Sequence, residues 1–390
     1  MPSRRVAVSS FANYFLLFIS YAILSPYLQL FLKARGLSAS RIGLLLGLLE
    51  LAGVVGPILL GRMADSRSAY RALLAASFLV PIVVFLPMQL TTSFPVYIAC
   101  ILVMGFTYRS TIPLLDSIVS RILPDPARQY GRFRVAGSIG FILISLFLQF
   151  SGLVSGDSSL AILIAFSAAA LCAAVAPALL PPAPKVGRRR DAAQHAETDD
   201  GFDLRFWAVI GIIFLGRFGL GAYYSFFSLY LQETFPGMGV SMLWAIGPLA
   251  EIATIWFSGP LISRWGIRTM FIVSLAAVSI RLGLFVVAPS IVVVALAQLL
   301  HAFTFGTFHT TAVAYINAKI GHEKRGMGMA IYNAVGVGFA SFMASVAGGY
   351  ILDAHGFAFL FLLYGTIPLI GVIILAVFGR KLLAPTRNRS

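Results

Sequence analysis

Long apolar stretches alternate with short polar segments along all 390 residues of the chain. Each stretch reaches the roughly 20 residues that an α-helix needs to cross the hydrocarbon core of a bilayer. The pattern therefore predicts an all-α integral membrane protein with twelve transmembrane helices. The apolar stretches cover residues 6–33, 39–61, 72–90, 93–122, 130–153, 160–182, 206–232, 241–263, 269–288, 291–318, 327–352 and 356–379.

The composition fits a chain built for lipid. Hydrophobic residues make up 59% of the sequence and charged residues only 11%, whereas soluble domains carry roughly 25% charged residues. The first apolar stretch is too long for the apolar region of a cleaved signal peptide and lacks a small-residue cleavage site, so we expect a first transmembrane helix there. Cys100 and Cys172 both fall in apolar stretches, so we expect neither a disulfide framework nor a metal cluster.

The net charge of +15 could indicate a nucleic-acid partner, but its distribution favours a membrane. Of the 29 Lys and Arg residues, 22 fall at the termini or in loops on the same side of the membrane as the termini. Positive charge concentrates on the cytoplasmic side of membrane proteins. We therefore expect a multi-pass monomer of the cell (inner) membrane with both termini in the cytoplasm, surrounded by lipid and not bound to nucleic acid.

The longest polar interruption separates six apolar stretches from six others. Its charged, weakly hydrophobic composition is typical of a flexible linker. The sequence thus predicts an amino-terminal six-helix bundle over residues 1–182, a cytoplasmic linker over 183–205 and a carboxyl-terminal six-helix bundle over 206–390.

The two predicted bundles also repeat each other in sequence. "SPYLQ" at 25–29 recurs as "SLYLQ" at 228–232, and residues 117–141 align with 315–339 without a gap. The common order of these matches predicts two pseudo-symmetric bundles. Parallel repeats of this kind are typical of transporters that bind substrate near the bilayer midplane, at the repeat interface, and work by alternating access.

The loop "GRMADSRSAYR" resembles the helix 2–3 loop signature of the major facilitator superfamily. Gly61, Asp65 and Arg71 stand at the matching positions. The resemblance implies the major facilitator fold over the whole chain, and a cytoplasmic gate that these three residues help to lock.

Two further stretches, "YGRFRVAGSIG" and "LLHAFTFGTFHTTAVAYI", resemble the phenylpropionate permease and lactose permease-like group within that superfamily. In lactose permease an acidic residue and an Arg contact the sugar at the spacing of Asp116 and Arg134. Phe141 stands where that permease stacks an aromatic ring on its substrate, and Thr304 stands where it has a proton-carrying Glu. The resemblance thus implies substrate contacts for Asp116, Arg134 and Phe141.

Nine ionisable side chains fall inside the predicted membrane helices. A charge at membrane depth costs at least about 2.5–3.5 kcal/mol, so these groups should face a polar cavity or one another. They are Glu50, Arg109, Asp116, Arg134, Arg217, Glu251, Arg281, His301 and His309.

The turn centred near Asp125 predicts how one set of charges lies. Asp116 and Arg134 are nine residues before and after it, so in an antiparallel hairpin they lie at the same depth and can pair. An Arg can also bind a polar substrate through its two-pronged guanidinium. Arg132 points roughly 200° away from Arg134 and is expected to be a flank anchor, while Arg109 returns to the face of Asp116 two turns deeper.

The same geometry applies in the second half of the chain. Arg281 and His301 lie ten residues before and after the turn near Ile291, so they should also be level. Histidine titrates near neutral pH and suits a proton relay. Glu251 is the foremost candidate for a proton-carrying carboxylate, with Arg217 as a cation that can displace its proton.

We expect a secondary active transporter, proton-coupled by symport, for a small polar or anionic organic solute. Four intramembrane Arg against three carboxylates leave positive charge for an anion. Tyr223 and Tyr224 could stack on an aromatic ring, which favours an aromatic acid over a sugar or nucleoside. Glu50 and His309 are further proton-coupling candidates.

The alternative that the sequence leaves open is an exporter of drugs or metabolites that works by proton antiport. An enzyme is not expected, because the chain has no nucleophile elbow, phosphate-binding loop or metalloprotease motif. Neither a cofactor nor a metal is expected, with the proton gradient as the energy source.

Overall fold

The structure is a computed structural model that describes residues 2–182, 201–321 and 324–383. Within these ranges the chain is helical and contains no strand, which confirms the predicted all-α class. Most of the predicted linker lies outside the described residues. The first part of the chain forms α1 (Arg4–Ala34), α2 (Ala39–Arg67), α3 (Tyr70–Leu90), α4 (Phe94–Tyr108), α5 (Thr111–Ile122), α6 (Pro126–Ser151) and α7 (Ser159–Val175).

The later part of the described chain is also helical but less regular. Two π-helical segments, Ala302–Thr307 and Tyr332–Phe339, lie within it. Such wider turns are rare and are frequently found at functional sites. The α-helices are α8 (Leu204–Thr234), α9 (Ser241–Val287), α10 (Ile291–Leu299), α11 (Phe308–Lys319), α12 (Arg325–Ile331) and α13 (Ala340–Leu382).

Two of these elements each contain a break at a glycine. Gly266 has φ 77° and ψ 156° inside α9, and Gly356 has φ 74° and ψ 179° inside α13. A residue with a Cβ rarely adopts a positive φ, so glycine allows the chain to bend sharply at both positions. Each of these long elements is therefore two helices that meet at a glycine.

The chain divides into two compact units. The first contains Met1–Arg190 together with Phe226–Ala245, and the second contains Asp191–Ser225 together with Ile246–Ser390. The helix α8 contributes to both. The boundaries predicted from the sequence for the two bundles remain predictions.

Ten helical runs in the described residues are long and apolar enough to cross a membrane. Among them α1 is the most deeply packed, with 72% of its apolar window buried. It lies against α6 and α7 in the first unit, which explains why its aromatic side chains Tyr14 and Phe31 are fully inaccessible.

Glycines set the close packing of α2 against α4. A Cβ on Gly56 would overlap the carbonyl oxygen of Phe106, and a Cβ on Gly105 would overlap the carbonyl oxygen of Leu49. Membrane helices use small residues in this way because lipid offers no hydrophobic drive for their association. This close approach brings the polar residues of α2 within reach of those at the end of α4.

Candidate functional site

The first cluster of charges surrounds the junction between α4 and α5. The helix ends at Tyr108 and restarts at Thr111, so Arg109 lies at an interruption near the middle of one membrane-spanning run, Phe94–Ile122. Pro113 explains part of this break, because proline has no N–H with which to continue the helix towards the Arg109 carbonyl.

Arg109 forms an ion pair with Glu50 of α2, through Nη2 and Oε1. The stem of Arg109 lies directly on Gly53, where a Cβ would collide with it. Beside the pair, the Tyr21 hydroxyl donates to the Tyr108 carbonyl oxygen across 3.1 Å. The structure thus joins Arg109 and Glu50, two residues that the sequence suggested separately.

The second cluster in the same unit is centred on Tyr14. The Tyr14 hydroxyl donates to Asp116 Oδ1 across 2.7 Å. The Arg134 guanidinium lies over the Tyr14 ring, 5.9 Å from its centre, and over the Phe18 ring, 4.1 Å from its centre. No carboxylate among the described residues forms an ion pair with Arg134. Asp116 and Arg134 therefore interact across Tyr14 and not through a direct bond.

Sequence reasoning missed Tyr14 and Tyr21, although a signal was available. They lie seven residues apart in α1, with Phe18 between them, so the three rings share one face of the helix. An aromatic stripe on the first helix accompanies both charged clusters. The predicted stacking residue Phe141 is buried, at 7% exposure, two turns after Arg134 on α6.

In the second unit, the structure brings Arg281 and His301 together. Arg281 is 1% exposed, and its guanidinium lies 3.7 Å from the centre of the Tyr223 ring. Its Nη1 donates to Thr304 Oγ1 across 3.2 Å, and its Nη2 donates to Gln298 Oε1. Gln298 was missed, since an uncharged amide gave no sign of a role in the sequence.

The contact between Arg281 Nη1 and His301 Nδ1 spans 3.1 Å and fixes the histidine tautomer. Arginine only donates hydrogen bonds, so Nδ1 must accept and the ring proton must sit on Nε2. That Nε2 faces Glu251 Oε2 at 3.6 Å. Glu251, His301 and Arg281 therefore form a continuous line of contacts, in which a carboxylate faces the N–H of a neutral imidazole.

A column of rings extends from His301 along the first π-helical segment. Phe305 stacks on His301 at 5.7 Å and on His309 at 6.0 Å, with ring planes within 9° of parallel. His309 Nδ1 lies 2.8 Å from the Tyr332 hydroxyl, where the second π-helical segment begins. Both histidine candidates therefore belong to one structure, the column His301–Phe305–His309.

Arg217 and the neighbouring tyrosines border this column. The Arg217 guanidinium lies over the rings of Tyr224, at 5.3 Å, and Phe305, at 5.9 Å. Its buried Nε has no acceptor among the described residues. Tyr223 and Tyr224 pack against each other and against His301. These aromatic residues therefore surround the polar line of contacts.

The loop residues that the family signature singled out make separate contacts. Asp65 accepts a hydrogen bond from the Tyr70 hydroxyl and forms an ion pair with Arg121, at 2.6 and 2.5 Å. Arg71 donates instead to the Leu180 carbonyl oxygen at 3.2 Å. A Cβ on Gly61 would meet open space. The cation for Asp65 is thus Arg121, which the sequence did not suggest.

The counterpart of Arg121 in the repeat also forms an ion pair, but with a carboxylate that lies before α8 and is not the counterpart of Asp65. Lys319 corresponds to Arg121 and binds Asp203 Oδ2 at 2.9 Å. Partial burial raises the pKa of Asp203, but hydrogen bonds from Lys319 and from the Phe206 backbone N–H outweigh it and hold that pKa below its usual range. In the described residues no three His, Cys, Asp or Glu side chains are grouped to hold a metal.

Residues 9–363 match the family model described as MFS_1 like family. The chain belongs to this family. It is 24% identical over 349 residues to the "Probable 3-phenylpropionic acid transporter" of Escherichia coli (strain K12), covering 88% of this chain and 90% of that protein. It is also 24% identical over 377 residues to the maltose permease of Geobacillus stearothermophilus, covering 94% and 93%.

Solved structures agree on the fold. A crystal structure of a mutant of the nucleoside transporter NupG superposes with a TM-score of 0.84 at 18% identity, over 95% of this chain and 99% of that one. The family match and the transporter relatives confirm the sequence-based assignment to the major facilitator superfamily. The MFS_1-like chain is an integral membrane transport protein and not an enzyme.

The tautomer of His301 is directly testable. We expect the imidazole ¹⁵N spectrum of the purified protein at about pH 7 to show His301 with a proton on Nε2 and none on Nδ1, because the Arg281 donor occupies Nδ1. The His301→Gln variant identifies the signals. A protonated Nδ1 in the wild-type protein would contradict the line of contacts from Glu251 to Arg281.

Proposed function

We propose that this MFS_1-like chain is a proton-coupled symporter that moves a small organic anion by alternating access. The observation that carries the proposal is the line of contacts from Glu251 through His301 to Arg281. A carboxylate that faces a neutral imidazole can take up and release a proton without leaving the membrane interior. Ionisable groups at such depth are typical of proton relays.

The proposed solute is an aromatic acid. Arg134 supports this assignment, because its guanidinium lies over two aromatic rings and pairs with no carboxylate of the described residues. A guanidinium donates charge-assisted hydrogen bonds to a carboxylate, while the rings of Tyr14 and Phe18 offer apolar surface for an aromatic group. The relative named for 3-phenylpropionic acid transport has the same substrate chemistry.

We assign the candidate residues to three groups. Substrate binding involves the side chains around Tyr14 and the arginines and tyrosines that border the histidine column. These are Asp116, Arg134, Arg109, Phe141, Tyr223, Tyr224 and Arg217. Proton coupling involves Glu251, Arg281 and His301, and Glu50 and His309 are additional proton-coupling residues. The cytoplasmic gate contains Gly61, Asp65 and Arg71.

The proposed topology has twelve spans in two six-helix bundles, with both termini in the cytoplasm of a cell whose inner membrane holds the protein. The glycine breaks support this count. The run Arg325–Leu382 divides into two at Gly356, and the element Ser241–Val287 divides into two at Gly266. With these two divisions the ten apolar runs become twelve. Each of the resulting segments is long enough to span the bilayer.

An imposed proton gradient tests the function. We expect proteoliposomes that are acidic outside to accumulate radiolabelled 3-phenylpropionate well above equilibrium, and more strongly than uridine or maltose. Glu251→Gln should abolish accumulation, because an amide cannot carry a proton. Accumulation that survives collapse of the gradient would refute proton coupling. Accumulation only under the opposite gradient would identify an antiporter.

Two neighbouring arginines form a matched pair for the substrate site. Arg134→Ala should weaken binding of 3-phenylpropionate by at least about tenfold, because a hydrogen bond to a charged group contributes roughly 1.5–3 kcal/mol. Arg132→Ala should bind as the wild type does, because Arg132 is exposed and lies on another face of α6. Calorimetry on the purified variants measures both, and equal effects would contradict the assignment of Arg134.

A further inference from the structure

We propose that the interruption between α4 and α5 is a carboxylate-binding site. In the absence of the transported anion, Glu50 occupies the position on Arg109 that the anion takes when it binds. When the anion binds Arg109, it displaces Glu50, and the displaced carboxylate takes up a proton. This inference rests on the proposed function and specifies how binding of the anion and uptake of the proton are linked.

The position of the pair points to a transport site. Arg109 lies at the only interruption in the run Phe94–Ile122, between Tyr108 and Thr111. The corresponding run in the second half, Ile291–Lys319, is also irregular, with its π-helical segment ending at Thr307. At the repeat offset of 198, Thr307 is the counterpart of Arg109. Interruptions at corresponding positions of two repeats mark the binding sites of such transporters.

The guanidinium of Arg109 has binding capacity left over. Glu50 reaches it through one oxygen and one nitrogen, Oε1 and Nη2. The buried Nε has no acceptor among the described residues. A carboxylate that approaches the fork through both oxygens would satisfy Nε as well, which makes a bound anion a better partner than Glu50.

Both side chains of the pair are also accessible. The side chain of Arg109 is 31% exposed and that of Glu50 is 28% exposed, although both residues lie near the middle of a membrane-spanning run. Charged groups at that depth face protein or water and not lipid, so a solute that enters the protein from the water can reach them. Arg281 differs, because it is 1% exposed and already donates to Gln298, His301 and Thr304.

The exchange conserves charge. The incoming carboxylate takes over the guanidinium, and Glu50 is left as a lone anion in the membrane interior. Since an unpaired charge at membrane depth is costly, Glu50 forms an O–H bond with a proton from the water. No other bond forms or breaks. Among the described residues, the titratable groups beside the pair are hydroxyls: Tyr21 of α1 faces both Glu50 and Arg109, and Tyr108 of α4 faces Arg109.

Calorimetry of binding tests this exchange. 3-Phenylpropionate is titrated into purified protein at about pH 7 in two buffers of different ionisation enthalpy, which gives the number of protons taken up per ligand. We expect about one proton for the wild type and for the control Glu233→Gln, an exposed carboxylate at the end of α8. For Glu50→Gln we expect no proton uptake, with affinity unchanged or up to about tenfold tighter.

The outcomes separate this inference from the function on which it rests. Wild-type binding without proton uptake, or proton uptake that persists in Glu50→Gln, overturns it. A Glu50→Gln variant that keeps the wild-type melting temperature but no longer binds also overturns it, because Glu50 would then be a partner of the ligand and not its competitor. Arg109→Gln should lose binding. A wild-type protein that binds no organic anion overturns the proposed function, and this inference with it.

Discussion

The cost of a charge inside the bilayer constrains the whole polar architecture of this chain. At least about 2.5–3.5 kcal/mol is required for each such group, and the described residues meet this cost in two ways. Some charges are paired, as Arg109 is with Glu50. Others lie on aromatic faces, as Arg134 does on Phe18. Glycines in α2 and α4 permit the close packing that such lateral pairs require.

The intramembrane arginines differ in how much of their hydrogen-bonding capacity is already used, and this difference has consequences for function. Arg281 is enclosed, and its two Nη atoms already donate to His301, Thr304 and Gln298, so it can polarise and orient His301 but is out of reach of a solute. Arg109 and Arg134 keep unused binding capacity, since one has an unpaired Nε and the other has no carboxylate partner among the described residues. These contacts support the proposed division between a cation that organises the proton path and cations that receive the anion.

Sequence reasoning reached the fold class, the family and some of the site. Apolar stretches revealed the helices because the bilayer demands length and hydropathy, and hairpin geometry placed Arg281 level with His301 because the two helices are adjacent in sequence. The partnership of Glu50 with Arg109 was missed because hairpin geometry does not extend to helices that are not consecutive. Gln298 was missed because a neutral amide carries no electrostatic signal, although its burial beside Arg281 makes it part of the site.

The central claim is that the anion and the proton move together. It is tested most directly by recording external pH while 3-phenylpropionate is added to lightly buffered vesicles that contain the protein and no imposed gradient. Symport predicts that the medium becomes more alkaline in step with entry of the radiolabelled solute, and that empty vesicles show far less change. Solute entry through the protein without alkalinisation, or with acidification, would contradict the account.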